Sequence, residues 1–130
     1  MTAFVDSDVL IRHLTGDPTD MALRATAHIR DTDELLLPDL ILAEIIYVLE
    51  SFYEVARPEV ARLARAVVAY PTIRTLDPAL VLRALEVYET AGIDFAEAYL
   101  VASAETAGIV DIVSFDRDLD RVASVNRVEP

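Results

Sequence analysis

The sequence predicts an α/β domain with a mainly parallel sheet, and two observations predict it. Several apolar runs are only strand-length, and the stretches between them carry apolar residues at helical spacing. The first run, Ala3–Val5, reads as a buried strand ending in Asp6. Val9–Leu14 continues with helical spacing, and Asp17-Pro18 opens a helix to about Arg30, with proline near the first turn. Leu35–Leu37 is a second strand, stopped by Pro38. A long helix follows from about Leu40 to Tyr53; Arg57-Pro58 separates it from another over Glu59–Ala69. Pro71 breaks the chain before a third strand, Ile73–Leu76. Asp77-Pro78 then opens a helix to about Thr90, and Gly92 closes that region. Asp94 begins a helix ending near Gly108, Asp111–Ser114 is a fourth strand, and Val125–Val128 is a last, edge strand. No repeat or linker interrupts residues 1–130, so one domain is expected.

Composition removes several chemistries. The chain has no cysteine, which excludes disulfides, thiolate catalysis and cysteine-ligated zinc. Its three glycines, Gly16, Gly92 and Gly108, cannot build a phosphate-cradling glycine loop. All 11 basic residues are arginine, so no mechanism that needs a lysine side chain is open. Acids in the first ten residues, Asp6 and Asp8, argue against a signal peptide, and no apolar run has membrane-spanning length. A cytoplasmic protein with no membrane contact is therefore expected. A net charge of −12 argues against a polyanionic partner, unless divalent cations cancel charge locally. Apolar residues make up 54%, enough for a full core with apolar surface left for a partner or a second copy.

The acids carry the functional signal. In parallel α/β sheets, sites form beyond the carboxyl ends of the strands. Asp6 and Asp116 both follow predicted strands. Asp6 reads equally as a helix cap or as a carboxylate held by a cation. Glu44 stands in an almost wholly apolar helix whose i±3 and i±4 positions are Leu40, Ile41, Tyr47 and Val48, so it is expected to face the protein. Asp94 and Glu97 fit an acidic capping box, which also leaves them free to face a site. Of the alternating Asp116, Asp118 and Asp120, Asp116 is nearest the strand end, whereas Asp120 is expected at the surface. The two histidines, His13 and His28, have no histidine at i+3 or i+4 and read as structural. Oxygen-only ligands suit hard cations such as Mg²⁺ or Mn²⁺.

The ordered set Asp6, Glu44, Asp94/Glu97 and Asp116 resembles the PIN-domain family, above all its VapC-type toxins. Four segments carry the likeness: Phe4–Arg12, Pro38–Val48, Asp94–Ala102 and Ser114–Leu119. Ser7, Asp8 and Glu97 depart from it, standing where threonine, asparagine and aspartate are usual. The resemblance implies a three-layer α/β/α domain and hydrolysis of RNA by water. It implies Mg²⁺ or Mn²⁺ held by Asp6, Glu44, Asp116 and one or both of Asp94 and Glu97. It also implies a homodimer and a cognate antitoxin. Arg12 and Arg117 are candidates to contact RNA phosphates, or equally to pair with surplus acids. Two alternatives stand beside this reading. One is a haloacid-dehalogenase-like phosphatase using Asp6 and Asp8, which the missing lysine disfavours. The other is a PIN-fold binding module that has lost its chemistry.

Overall fold

A computed structural model describes residues 1–130, which divide into two compact units, Met1–Pro78 and Ala79–Pro130. The first holds β1 (Thr2–Phe4), α1 (Ser7–Thr15), α2 (Thr19–Asp31), β2 (Glu34–Leu36), α3 (Asp39–Ser51), α4 (Arg57–Ala69) and β3 (Ile73–Arg74). Its strands form one parallel sheet in the order β1-β2-β3, with Ala3 opposite Leu35 and Leu35 opposite Ile73. The ladder runs slightly past the strands, since Val5 N–H donates to Leu36 O and Leu37 N–H to Arg74 O.

Local chemistry explains the helix ends. Asp6 caps α1 from an extended backbone, and Gly16 closes it at φ 70°, a left-handed conformation costly for any residue with a Cβ. Arg57-Pro58 does not separate helices as the sequence suggested. It opens α4, because proline's missing N–H is harmless in a first turn. The buried stripe of α3 is Leu42, Ile45, Ile46 and Leu49, and that of α4 is Val60, Ala61, Ala64 and Val67. The first set is spaced i, i+3, i+4, i+7 and the second i, i+1, i+4, i+7, each one face of an amphipathic helix.

The strand β1 differs from its expected burial. It lies at one end of its three-stranded sheet, and exposure alternates along it: Thr2 and Phe4 are exposed, Phe4 by 73%, Ala3 is half-buried, and Val5 just beyond the strand is buried. A continuous apolar run therefore meets a period-two backbone, and only alternate residues turn inward.

The second unit holds α5 (Pro78–Ala91), α6 (Phe95–Ala107), β4 (Asp111–Val113), a 3-10 helix over Arg117–Arg121 and β5 (Asn126–Val128). Here β4 and β5 pair in parallel, Ile112 opposite Arg127. Tyr88 and Phe95 meet edge-on at 6.2 Å among the buried residues. A two-pronged ion pair joins α5 to α6, with Arg83 Nε and Nη2 at 2.7 and 2.9 Å from the Glu105 oxygens. Arg83 and the Ser124 hydroxyl together hold the Glu105 carboxyl down at about 2. The α/β class with parallel strands is thus present, with six α-helices, and the parallel strands divide into a set of three and a set of two. No helix is long and apolar enough to cross a membrane.

Candidate metal centre

In the first unit, one buried hydroxyl organises two acids. Asp6 is the N-cap of α1, where its Oδ1 accepts from Ser7 N–H at 2.7 Å. The Ser7 side chain is 5% exposed; its hydroxyl donates to Glu44 Oε1 at 2.8 Å and lies 3.5 Å from Asp6 Oδ1. Ser7 therefore fixes Asp6 and Glu44 at the start of α1 and the middle of α3. Both carboxylates remain exposed.

That exposure corrects the expectation for Glu44. Its neighbours at i−4 and i+3, Leu40 and Tyr47, are themselves 79% and 67% exposed. Apolar sequence neighbours do not make a buried face. Glu44 stands one position off the buried stripe and is held by Ser7 rather than by the core. Ser7→Ala should lower stability by about 1 kcal/mol, the usual worth of one such hydrogen bond, while Ser7→Thr keeps the hydroxyl and the stability. Denaturant unfolding of the two variants checks this.

In the second unit, three acids converge. Asp94 caps α6 by accepting from Glu97 N–H at 2.9 Å. Asp116 caps the 3-10 helix by accepting from Asp118 N–H at 2.9 Å, while Ser114 Oγ receives Asp116's own N–H. Glu97, Asp116 and Asp118 each bring a carboxylate oxygen within 4.8 Å of the others. Asp94 remains nearby as the cap and is not one of these three. Asp120, as expected, is at the surface, paired with Arg127 at 3.0 Å.

The electrostatics single out Glu97. Its Oε2 is buried with no hydrogen-bond partner. Desolvation, the charge of Asp94, and then the neighbouring Asp116 raise its carboxyl from 4.5 to about 7. A proton on Glu97 can be donated to Asp116; without it, two anions face each other with no donor between them. A cation would supply the missing partner. An oxygen-only set with one orphaned buried oxygen thus fits a hard divalent ion.

Sequence reasoning anticipated Asp6, Glu44, Asp94, Glu97 and Asp116 as candidates, and it undervalued Asp118. The only signal for Asp118 was its alternation with Asp116, which a solvated turn shows equally. Arg121 also pairs with it at 3.3 Å. His13 meets Thr26 Oγ1 at 2.7 Å, and burial lowers its pKa, whereas His28 is exposed.

Comparison with known proteins adds the family. Among solved structures, the chain is similar to VapC20 of Mycobacterium tuberculosis, a sarcin-ricin loop cleaving toxin. The identity is 18% and the TM-score 0.45, over 91% of this chain and 92% of that one. It is also similar to VapBC2 of Rickettsia felis bound to a DNA fragment from their promoter. There the identity is 10% and the TM-score 0.40, over 99% and 98%. No curated protein matches the chain. The PIN-domain family model matches residues 3–125, nearly the whole chain, and the protein belongs to the PIN-domain family.

Proposed function

We propose that this PIN-domain protein is a Mg²⁺- or Mn²⁺-dependent endoribonuclease, the toxin of a toxin–antitoxin pair. The observation that carries the reading is the orphaned, buried Glu97 Oε2 beside Asp116 and Asp118. An acid held this way costs stability unless a cation joins it. The residues we assign to metal binding and the chemistry are, in the first unit, Asp6 and Glu44 and, in the second unit, Glu97 and Asp116. Asp94 positions Glu97 through its cap, and Asp118 adds charge beside Asp116.

The reaction is attack of water on a phosphodiester, breaking the bond from phosphorus to one ribose oxygen. A bound divalent ion supplies a lowered pKa for that water and stabilises charge on the phosphate. The chain supplies orientation. Ser7 holds Glu44 by its hydroxyl and Asp6 by its backbone, and the Asp94 and Asp116 caps fix their own carboxylates against helix ends. Arg117, which adjoins Asp116 and forms no ion pair, is free to meet a phosphate oxygen. Family membership supports the nuclease reading over the phosphatase alternative.

We further infer a homodimer and an antitoxin partner. Exposed Leu40, Tyr47 and Phe52 support an apolar contact surface. Ile45, Ile46 and Leu49 of the same helix belong to the core.

Scanning calorimetry in EDTA, followed by added Mn²⁺, tests the metal. The melting temperature should rise, since a ligand selective for the folded state contributes about 2.7 kcal/mol at a hundredfold excess over its Kd. An unchanged melting temperature with no calorimetric binding heat would count against the centre.

A further inference from the structure

The groove between α1 and α2 brings two arginines together beside one acid, Asp8. It encloses about 310 Å³ and is lined by Asp8 and Arg12 of α1 and by Met21, Arg24 and His28 of α2, among others. Asp8 and Arg12 are i, i+4 on one face of α1. Met21, Arg24 and His28 are i, i+3, i+7 on one face of α2, so the two faces present these side chains to a common space.

Pairing makes the arginines informative. Acids outnumber arginines by 23 to 11. Arg30, Arg62, Arg83 and Arg127 each sit on a carboxylate at hydrogen-bond distance. Arg12 and Arg24 line the groove and form no ion pair. Arg12 has one long bond, from Nη1 to Asp17 O at 3.4 Å, and its Nε is buried without a partner. An unsatisfied guanidinium donor in so acidic a chain is complementary to an anion from outside. Arg12 lies six residues after Asp6 on the same helix, about 9 Å along its axis.

We propose that this groove is a backbone-phosphate subsite for single-stranded RNA, in which Arg12 and Arg24 take phosphate oxygens and His28 offers its ring to a base. The inference rests on the ribonuclease reading for its substrate class. A guanidinium pair fits phosphate, while the imidazole and the thioether of Met21 suit a nucleobase face. An acidic peptide would use the arginines and leave that apolar part unexplained.

The experiment uses the full chain and a fluorescent 20-nucleotide RNA, bound in EDTA across a salt series and cleaved in Mn²⁺. The variants are Arg24→Gln, Arg24→Lys and His28→Asn, none of them at the assigned acids. Arg24→Gln should weaken binding roughly three- to tenfold and lower the log–log salt slope by about 0.7, the value of one lost phosphate contact on a single strand. It should raise KM with kcat unchanged. Arg24→Lys should keep the slope, and His28→Asn should weaken binding with the slope intact. Wild-type RNA binding that loses neither affinity nor slope in Arg24→Gln overturns the subsite, even if the protein cleaves RNA. Absence of any RNA binding overturns it as well, as does polyglutamate binding that depends on Arg24 while RNA binding does not. Arg24-dependent binding without wild-type cleavage supports the subsite and sinks the nuclease reading alone.

Discussion

Asp6→Asn should abolish Mn²⁺-dependent cleavage of a mixed RNA pool and leave circular dichroism and the melting temperature in EDTA nearly unchanged. The two results come from the two things Asp6 does. As N-cap, it accepts from Ser7 N–H, and asparagine caps about as well as aspartate. As a carboxylate beside Glu44, it supplies charge that asparagine lacks. Loss of even an outer partner of a metal costs roughly ten- to a hundredfold in affinity or activity, so loss of a ligand should cost at least about a hundredfold. If Asp6 were only a cap, the variant would cleave RNA normally. Full activity in a well-folded Asp6→Asn protein would falsify the mechanism.

Glu97→Gln separates the electrostatic cost of the centre from its use. The carboxyl titrates near 4.5 when ordinary and near 7 when folded. Raised folded affinity for the proton means that the ionised form is penalised. The penalty is absent below about pH 4.5, grows through the interval and is complete above about pH 7. Metal-free protein should therefore lose stability from this group as pH rises from 5 to 8, and Glu97→Gln should remove that part of the slope. At pH 8 in EDTA, the variant should melt higher by on the order of 4 °C, the shift that about 1 kcal/mol gives in a domain of this size. Its neutral amide can also donate to Asp116. The same variant should lose the stabilisation by Mn²⁺. In the wild type, ion affinity should climb with pH over the same window and level off above about pH 7, because the ion competes with one proton. Glu97→Asp should keep metal binding and cleavage, since it keeps the charge and shortens the chain by one methylene. A Glu97→Gln protein that binds Mn²⁺ as the wild type does would remove Glu97 from the centre.

Helices were legible in the sequence because their ends are written in single residues. Asp94 and Gly108 bracket α6, as Asp6 and Gly16 bracket α1. Asp6, Asp94, Glu97 and Asp116 were legible as candidates because each follows a strand or starts a helix, and Glu44 because it is a lone charge in an apolar helix. What could not be read was facing. The apolar neighbours of Glu44 suggested burial, but Leu40 and Tyr47 share its exposed side of α3. Likewise, Ala3–Val5 read as buried throughout, whereas a strand turns alternate residues outward and leaves Phe4 exposed. Asp118 was hidden for a different reason. Its nearness to Glu97 joins residues far apart in sequence, and no local spacing records such a meeting.

The three-stranded ladder also governs how the first unit is made. Its rungs join Thr2 to Glu34 and Leu35 to Ile73, so no pair of its strands closes through a short turn. Chain entropy must be lost over those long loops before any rung forms, while α1 to α4 gain their bonds between near neighbours. Helices therefore lead and the ladder follows. The Ser7–Glu44 hydrogen bond spans 37 positions and belongs with the late events. A newly made chain thus acquires its helices before its paired acids.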